Sequence, residues 1–269
     1  MTKVSLSTGV TPKRTSWQIM CNTVHALLMR ELKTRFGANR LGYFWALAEP
    51  VMAASVLAIL FTFIGRSSLA GVPVALFIFS GMLPFQFFSK LLPQLSAAVQ
   101  ANKALLSYKQ VAAIDPIITR VVIESATFIV VYIIILSAMA WLGLDVFPND
   151  LLALIAASVL LLILGVGLGL LLCSAVTFWK DTGKVVQIVM RPMFFISGIF
   201  FTATMVPTQY WYLFSWNPIF HILELSRDAF FITYTTPIGD WRFVSEISLG
   251  TFCLGLMTFK LCRHRLIAR

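Results

Sequence analysis

The sequence predicts an all-α membrane protein that crosses the bilayer six times. Hydrophobic residues make up 59% of the 269 residues and charged residues 12%, a balance that a soluble fold could not bury without leaving large apolar patches exposed. Six apolar segments each reach about 18 residues or more, enough to cross roughly 30 Å of hydrocarbon as helices. The predicted spans are 46–64, 74–92, 117–144, 151–179, 185–204 and 244–262.

The segment before the first span predicts a basic amphipathic helix. Val24, Leu28 and Leu32 recur every four residues and share one helical face, which Phe36 extends. Basic side chains project from the opposite face, so the helix is expected to lie in the lipid headgroup layer. A solvated basic helix is the alternative. The candidate residues of this segment are Arg30, Glu31, Lys33, Arg35 and Phe36.

The distribution of positive charge predicts the orientation. Eighteen of the 21 Lys and Arg residues fall on one side of the six spans, and Arg66, Arg227 and Arg242 fall on the other. Because basic loops stay in the cytoplasm, both termini are predicted to be cytoplasmic. The net charge of +10 then reflects topology and attraction to anionic lipid, and we expect no binding to nucleic acid. The spacing of the four cysteines predicts neither a disulfide nor a metal site.

Two spacings within the spans predict specific contacts. Gly165 and Gly169 lie on one face of the fourth span, where missing side chains let another helix approach closely. Arg120 and Glu124, at the cytoplasmic end of the third span, are four residues apart and can pair along the helix. Close packing and local charge neutralisation are the favoured interpretations.

The sequence offers little that could power transport by this chain alone. No acidic residue falls at the centre of a predicted span, which disfavours coupling to an ion gradient. The phosphate-binding pattern GxxxxGK[ST] is also missing, since the only Gly-Lys pair, Gly183-Lys184, is followed by Val185. Either the chain takes its energy from a partner, or it is not a pump.

A cytoplasmic loop between the second and third spans could dock such a partner. Residues 96–115 predict a short amphipathic helix that ends before Asp115-Pro116, although a solvated loop with a surface helix is an equal alternative. The candidate docking residues are Asn102, Lys103, Leu105, Leu106, Tyr108, Lys109 and Asp115.

The external segment 207–237 is rich in aromatic residues and is broken at Asn217-Pro218. Neither half can span the bilayer, so the segment predicts two short helices that dip into the outer leaflet. The rings suit either an interfacial belt or contacts with sugar rings. A catalytic His-Glu pair is a further alternative. The candidate residues are Tyr210, Trp211, Trp216, Asn217, Pro218, His221, Glu224 and Arg227.

Two motifs give the chain a resemblance to a known family, the permease subunits of polysaccharide-exporting ABC transporters of the ABC-2 type. The amino-terminal motif is Arg30-Glu31-x-Lys33-x-Arg35-Phe36, followed by Leu41-Gly42, Trp45 and Pro50. The external motif is Asn217-Pro218-x-x-His221-x-x-Glu224-x-x-Arg227-x-x-Phe230. The resemblance covers essentially the whole chain, which is most similar to capsular polysaccharide export permeases of Gram-negative bacteria.

The resemblance implies a domain organisation typical of a type V exporter. Residues 1–45 would form the cytoplasmic N-terminus with an interface helix at 17–36, residues 46–262 the transmembrane domain, and residues 263–269 a cytoplasmic tail. Within the transmembrane domain, residues 93–115 would form the loop that couples to the ATPase, and residues 206–238 an external hairpin of re-entrant gate helices.

The resemblance also implies partners, cofactors and a substrate. Two copies of the chain would form a channel above two copies of a separate ATPase, which would bind ATP and Mg²⁺; this chain would hold no cofactor. The substrate would be a polysaccharide on a lipid end, passed on to periplasmic and outer-membrane proteins from the bacterial inner membrane. The candidate channel-lining residues are Phe194, Phe195, Phe200, Phe201, Arg66 and Arg191.

The same sequence features are also compatible with other functions. O-antigen, teichoic acid or another lipid-linked polymer could replace the capsular polysaccharide. An integral-membrane enzyme acting on a lipid-linked substrate would use His221 and Glu224 and would work without a partner. An ion-coupled carrier would stop working when an uncoupler dissipates the ion gradient.

Overall fold

The computed structural model describes residues 15–36, 42–63, 68–69, 71–108 and 110–268. These residues are almost entirely helical, as predicted, apart from a small hairpin of strands β1 (Ser68–Leu69) and β2 (Val72–Pro73). Short 3₁₀ helices cover Lys103–Ser107, Ala203–Met205 and Thr208–Leu213. The α-helices are α1 (Ser16–Phe36), α2 (Gly42–Phe63), α3 (Val74–Ser96), α4 (Ala98–Ala101), α5 (Asp115–Trp141), α6 (Leu151–Val176), α7 (Thr182–Ile196), α8 (Pro218–Phe230) and α9 (Trp241–Ala268).

Four described helices are long and apolar enough to cross a membrane, namely α3, α5, α6 and most of α9. They coincide with the predicted second, third, fourth and sixth spans, so these four predictions are confirmed. The predicted first span falls in α2, which contains a shorter apolar stretch, Ala48–Phe61. The chain is therefore a membrane protein, and its described residues include four clear candidate spans.

The predicted fifth span is wrong at its C-terminal end. Helix α7 stops at Ile196 instead of continuing to Thr204, so its 15 residues rise only about 22 Å. The helix ends because Gly198 adopts a positive φ of 76°, a conformation that glycine reaches without a steric penalty. The chain then turns into the short 3₁₀ helix Ala203–Met205.

The external segment folds as a 3₁₀ helix, Thr208–Leu213, followed by α8. The break between them falls at Asn217-Pro218, as predicted. Asn217 caps α8 by accepting a hydrogen bond from the backbone N–H of Ile219 at 3.0 Å, and Pro218 fits the first helical position, where no N–H is needed. The first half is thus a 3₁₀ turn, while the second is a true α-helix.

Helix α3 lies at the centre of the bundle and packs against α6. A Cβ atom on Gly165 would lie 2.8 Å from Leu91, and one on Gly169 would lie 2.5 Å from Leu95. The clash at Gly169 includes the Cβ of Leu95 at 2.7 Å and leaves no room for a side chain, whereas at Gly165 the terminal methyl of Leu91 would have to move aside. The predicted close helix approach at Gly165 and Gly169 is confirmed, and α3 is the partner.

A second close approach joins α6 to α9. A Cβ atom on Gly167 would lie 2.6 Å from the backbone nitrogen of Phe252, and one on Gly255 would lie 2.5 Å from the carbonyl oxygen of Gly167. The missing side chains bring the two backbones into contact, which is how small residues promote helix association in membranes. Helix α6 therefore packs on two sides of its glycine-rich stretch.

Candidate functional site

The predicted docking loop is tied to the N-terminal helix. The side-chain nitrogen of Asn102 donates to the carbonyl oxygen of Ala98 at 2.9 Å, and its side-chain oxygen accepts a hydrogen bond from Arg30 of α1. Asn102 is only 3% exposed. It therefore holds the loop against α1 and is not available to a partner.

The loop presents a different set of side chains to solvent. Lys103, Ser107 and Tyr108 are exposed, with Tyr108 at 65%, whereas Leu105 is half-buried and Leu106 is buried. The predicted residue Lys109 lies outside the described residues. Among the described residues, a partner would thus meet the Lys103 ammonium group and the Tyr108 ring, and tyrosine is a residue type that commonly anchors protein interfaces.

Asp115 closes the loop at the start of α5. One of its carboxylate oxygens accepts a hydrogen bond from the backbone N–H of Ala112 at 2.8 Å, and its own carbonyl accepts from the Thr119 hydroxyl at 2.8 Å. The residue is 1% exposed. Its place in the structure is a turn that joins the loop to the helix, and it is not on the surface.

Helix α1 lies with one side against the bundle and the other exposed. Val24, Leu28 and Leu32 are half-buried, in line with the predicted apolar face, and Leu27 is buried more completely. Arg35 and Phe36 belong to the last turn of α1, but their side chains are not among those that the structure describes. Lys33 is exposed.

Arg120 connects three helices at the same end of the bundle. Its Nε donates to Oε1 of Glu31 on α1 at 3.2 Å, and its Nη1 donates to the carbonyl oxygen of Gln94 on α3. The pairing with Glu124 along α5 stays a prediction, and the two bonds described here add links to α1 and α3. A spacing of four residues reports only contacts along one helix, so these links could not be foreseen.

The predicted external cluster is buried inside the protein. His221, Glu224 and Arg227 of α8 are each at most 4% exposed. Glu224 and Arg227 approach to 3.7 Å, but His221 bonds elsewhere: its Nδ1 accepts from the backbone N–H of Asp240 at 3.3 Å, and its Nε2 meets the carbonyl oxygen of Ser215 at 2.9 Å. An imidazole that holds two backbone groups is poorly placed to act as a catalytic base.

Glu224 is the centre of a hydrogen-bond network. Its Oε2 accepts from the Tyr234 hydroxyl, from the Thr236 hydroxyl at 3.2 Å and from the backbone N–H of Ala203 at 3.3 Å. Burial raises the pKa of the Glu224 carboxyl, while the bond from Tyr234 and the charge of Arg227 oppose the rise. Burial is also the main cause that raises the pKa of Tyr234.

Arg227 binds the chain where α7 ends. Its guanidinium donates to the carbonyl oxygens of Gly198 at 2.6 Å, Ile199 at 2.9 Å and Phe201 at 3.1 Å, and it lies 4.0 Å from the centre of the Phe77 ring on α3. Burial lowers the pKa of Arg227 to about 10, so the side chain remains cationic at neutral pH. At 1% exposed, Arg227 has no surface with which to contact an anionic substrate.

The external aromatic residues divide into exposed and structural rings. Tyr210, Tyr212 and Trp216 are exposed, and they could meet a substrate or the lipid headgroups. Trp211 is half-buried, and its indole N–H donates to the carbonyl oxygens of Val206 at 2.9 Å and Ala203 at 3.2 Å. Of the predicted gate residues, Asn217 is buried and Pro218 half-buried at the start of α8.

The predicted lining residues form two separate groups. Phe194, Phe195 and Phe200 pack together with ring centroids 5.2 to 5.9 Å apart, and Phe195 is 63% exposed. Phe201 belongs instead to a cluster with Phe214, at 5.2 Å. Arg191 is exposed on α7, while Arg66 is outside the described residues.

The described residues contain no group of three or more His, Cys, Asp or Glu side chains that could hold a metal ion. An apolar groove of about 450 Å³ lies between α5 and α6, with Phe87 of α3 also in its lining. The arrangement offers structural polar networks, an exposed loop surface and exposed rings. The exposed loop surface and the exposed rings are the features of this arrangement that a partner or a ligand could reach.

Comparisons with known proteins relate the chain to a family of transporters. A family model described as ABC-2 type transporter matches residues 22–231. The polysialic acid transport protein KpsM of Escherichia coli is 33% identical over 248 residues, covering 92% of this chain and 96% of that protein. Two capsule polysaccharide export inner-membrane proteins are each 27% identical: CtrC of Neisseria meningitidis serogroup A, covering 88% and 90% of the two chains, and BexB of Haemophilus influenzae, covering 91% and 92%.

Proposed function

Because the chain belongs to the ABC-2 type transporter family, we propose that it is the membrane subunit of an ATP-driven exporter of capsular polysaccharide. The observation that carries the proposal is the similarity to a polysialic acid transport protein over 92% of the chain. Relatives named as inner-membrane proteins of capsule export support the bacterial inner membrane as its location. O-antigen, teichoic acid or another lipid-linked polymer is the alternative cargo.

The energy for export comes from a separate ATPase subunit, which holds the ATP and Mg²⁺. The chain has no GxxxxGK[ST] motif of its own. The exposed part of the 93–115 loop, with Lys103, Ser107 and Tyr108, is the surface on which the ATPase docks. Buried Asn102, Leu106 and Asp115 give that surface its shape. Closure of two ATPase subunits on ATP then moves the loop, and the helices that continue from it transmit the motion.

The exporter contains two copies of the chain. Helix α2 exposes Val56, Ile59 and Phe63, and α7 exposes Ile188 and Phe195. These faces can pack against a second copy of the chain as well as against lipid, whose tails are as apolar as the side chains themselves. Phe194, Phe200 and Arg191 lie beside the same face and would line the path between the copies.

The chain crosses the membrane six times, and both of its termini lie in the cytoplasm. Helix α2 is the first crossing, and α7 together with the turn after Gly198 is the fifth. The 3₁₀ helix Thr208–Leu213 and α8 then enter the outer leaflet without crossing it, as gate elements above the path. The excess of Lys and Arg on the cytoplasmic side of this arrangement supports the orientation.

The substrate carries a lipid end, and its sugars pass the exposed external rings Tyr210, Tyr212 and Trp216. Flat apolar rings with polar edges suit sugar rings, and the exposed guanidinium of Arg191 suits acidic sugars. Periplasmic and outer-membrane proteins receive the polymer. An enzyme acting through His221 and Glu224 is disfavoured by the backbone bonds of that histidine.

The proposal is tested by alanine scanning of residues 102–115 in the full chain, co-expressed with its ATPase. Substitution at the exposed positions should reduce ATPase co-purification and polymer export while membrane insertion is kept. Substitution at Asn102, Leu106 or Asp115 should lower the amount of folded chain. Full export in the exposed-position variants would rule out this docking surface.

A further inference from the structure

We infer that Arg120 is a positioning residue for coupling, which joins α1, the end of α3 and the start of α5 into one unit that moves with the docking loop. The inference rests on the proposed function, since it assigns a role within the ATPase-facing end of an exporter. It concerns two side chains, Glu31 and Arg120, that present no surface to a partner.

The first support is the geometry of Arg120 itself. Its guanidinium donates to Glu31 of α1 at 3.2 Å and also to the carbonyl oxygen of Gln94. Gln94 lies in the last turn of α3, immediately before α4 and the docking loop. One side chain thus binds the N-terminal helix and the point at which the central helix gives way to the loop.

The second support is burial. The side chains of Arg120 and Glu31 are only 10% and 14% exposed, so solvent screens their attraction weakly. The ion pair between Lys90 on α3 and Glu49 on α2 is far more open, with side chains 42% and 66% exposed. A buried, doubly bonded arginine holds its neighbours in a defined geometry, because its planar fork loses little freedom on binding.

The third support is a separate tie between the same two elements. Arg30, the neighbour of Glu31, donates to Asn102, which is bonded in turn to the Ala98 carbonyl of α4. Helix α1 is therefore attached on one side to the loop and on the other to the end of α3. With both ties in place, a push on the loop cannot be absorbed by movement between the loop and α1.

Loss of this tie should separate ATP hydrolysis from polymer export. If the tie is loosened, the ATPase still docks through the exposed loop residues and still hydrolyses ATP. Part of the motion that the ATPase imposes on the loop is then lost, because α1 and α3 slide against each other. Export per ATP hydrolysed falls, although neither the docking surface nor the substrate path has changed.

The test uses the full chain with its ATPase and compares Glu31→Gln, Arg120→Gln and the double variant. Amide side chains keep the size of the carboxylate and much of the reach of the guanidinium but remove the charges. We expect each single variant to assemble and to hydrolyse ATP, with export per ATP reduced about tenfold, the effect of losing one charge-assisted hydrogen bond. The double variant should lose no more than Arg120→Gln alone, since Glu31 acts through its bond to Arg120 and that bond is already absent in the Arg120 variant.

The matched control is Glu49→Gln, which removes an exposed interhelical ion pair and should leave export per ATP unchanged. If the two substitutions reduce export per ATP additively in the double variant, the inference is overturned. It is also overturned if export falls only in proportion to the amount of intact complex. Unchanged export per ATP in both single variants would overturn it as well, while the proposed function would stand. A wild-type complex without ATP-dependent export would overturn both.

Discussion

The Nη1 atom of Arg227 on α8 donates to the carbonyl oxygen of Gly198 at 2.6 Å, just after α7 has ended. Gly198 turns the chain out of the helix, and the carbonyls that follow would otherwise face an apolar interior without donors. One buried cation supplies those donors and stacks on Phe77. The end of α7 and the position of α8 therefore depend on each other.

This relationship predicts that Arg227→Gln destabilises the chain strongly. The change leaves three buried carbonyls and the Glu224 carboxylate with too few donors, which should cost about 3 kcal/mol or more. Thermal unfolding in detergent, followed by size-exclusion chromatography, measures the effect. The control is Arg242→Gln, which removes a well-exposed ion pair with Glu246. Equal midpoints for the two variants would contradict the assigned role of Arg227.

The contact between α6 and α9 predicts a large effect of a single methyl group. Gly167→Ala places a Cβ 2.6 Å from the Phe252 backbone, so the helices must separate, at a cost of about 1 to 3 kcal/mol. Gly250→Ala is the matched control, because a Cβ there meets nothing within 4 Å. It should leave unfolding unchanged or raise stability by up to about 1 kcal/mol. A stable Gly167→Ala variant would show that the two backbones are not in contact.

The exposed loop surface predicts a loss of binding without a loss of folding. Tyr108→Ala should weaken binding of the ATPase by about 2 kcal/mol, the usual effect of truncating an aromatic anchor. Co-purification at increasing salt and detergent concentrations measures the loss. Phe147→Ala removes an even more exposed ring, from the loop between α5 and α6, and should have no effect. If both variants retain the ATPase equally well, Tyr108 is not an anchor.

The basic face of α1 predicts a response to charge reversal. Lys33→Glu should weaken attachment of the helix to anionic lipid by about 1 kcal/mol or more and should also impair assembly with the ATPase. Both are measured with nanodiscs that contain either anionic or zwitterionic lipid. Lys260→Glu on α9 makes the same charge change away from α1. Normal assembly of the Lys33→Glu variant would leave α1 as a surface helix with no role in docking.

Periodicity and length were enough to predict most of the helices. The predicted spans at 74–92 and 151–179 match α3 and α6 closely, because long apolar runs leave few alternatives to a helix. The predicted fifth span failed at Gly198, since hydrophobicity continues through Phe200 and Phe201 while the backbone turns. The glycine itself was a signal, but a glycine in an apolar run ends a helix only when donors such as Arg227 can satisfy the freed carbonyls.

The candidate site was predictable as a set of segments and less so as a set of contacts. The two cytoplasmic segments were both identified from their amphipathic pattern, yet nothing in that pattern shows that Arg30 would bind Asn102. Burial also separated residues that looked alike in sequence: Asn102 supports the loop, whereas Lys103 beside it is exposed. His221 and Glu224, three residues apart on one helix, bond to different neighbours: His221 to two backbone groups, and Glu224 mainly to the Tyr234 and Thr236 hydroxyls.

As proposed, the exporter moves a polysaccharide across the membrane with energy from a separate ATPase. The most direct measurement uses proteoliposomes that contain the purified chain and its ATPase, with labelled lipid-linked capsular polymer added on the ATPase side. Polymer should become protected from an external glycosidase only when ATP is present. An uncoupler added at constant ATP should leave this protection unchanged. Protection without ATP that collapses with the uncoupler, or chemical conversion of the polymer by the chain alone, would contradict the proposal.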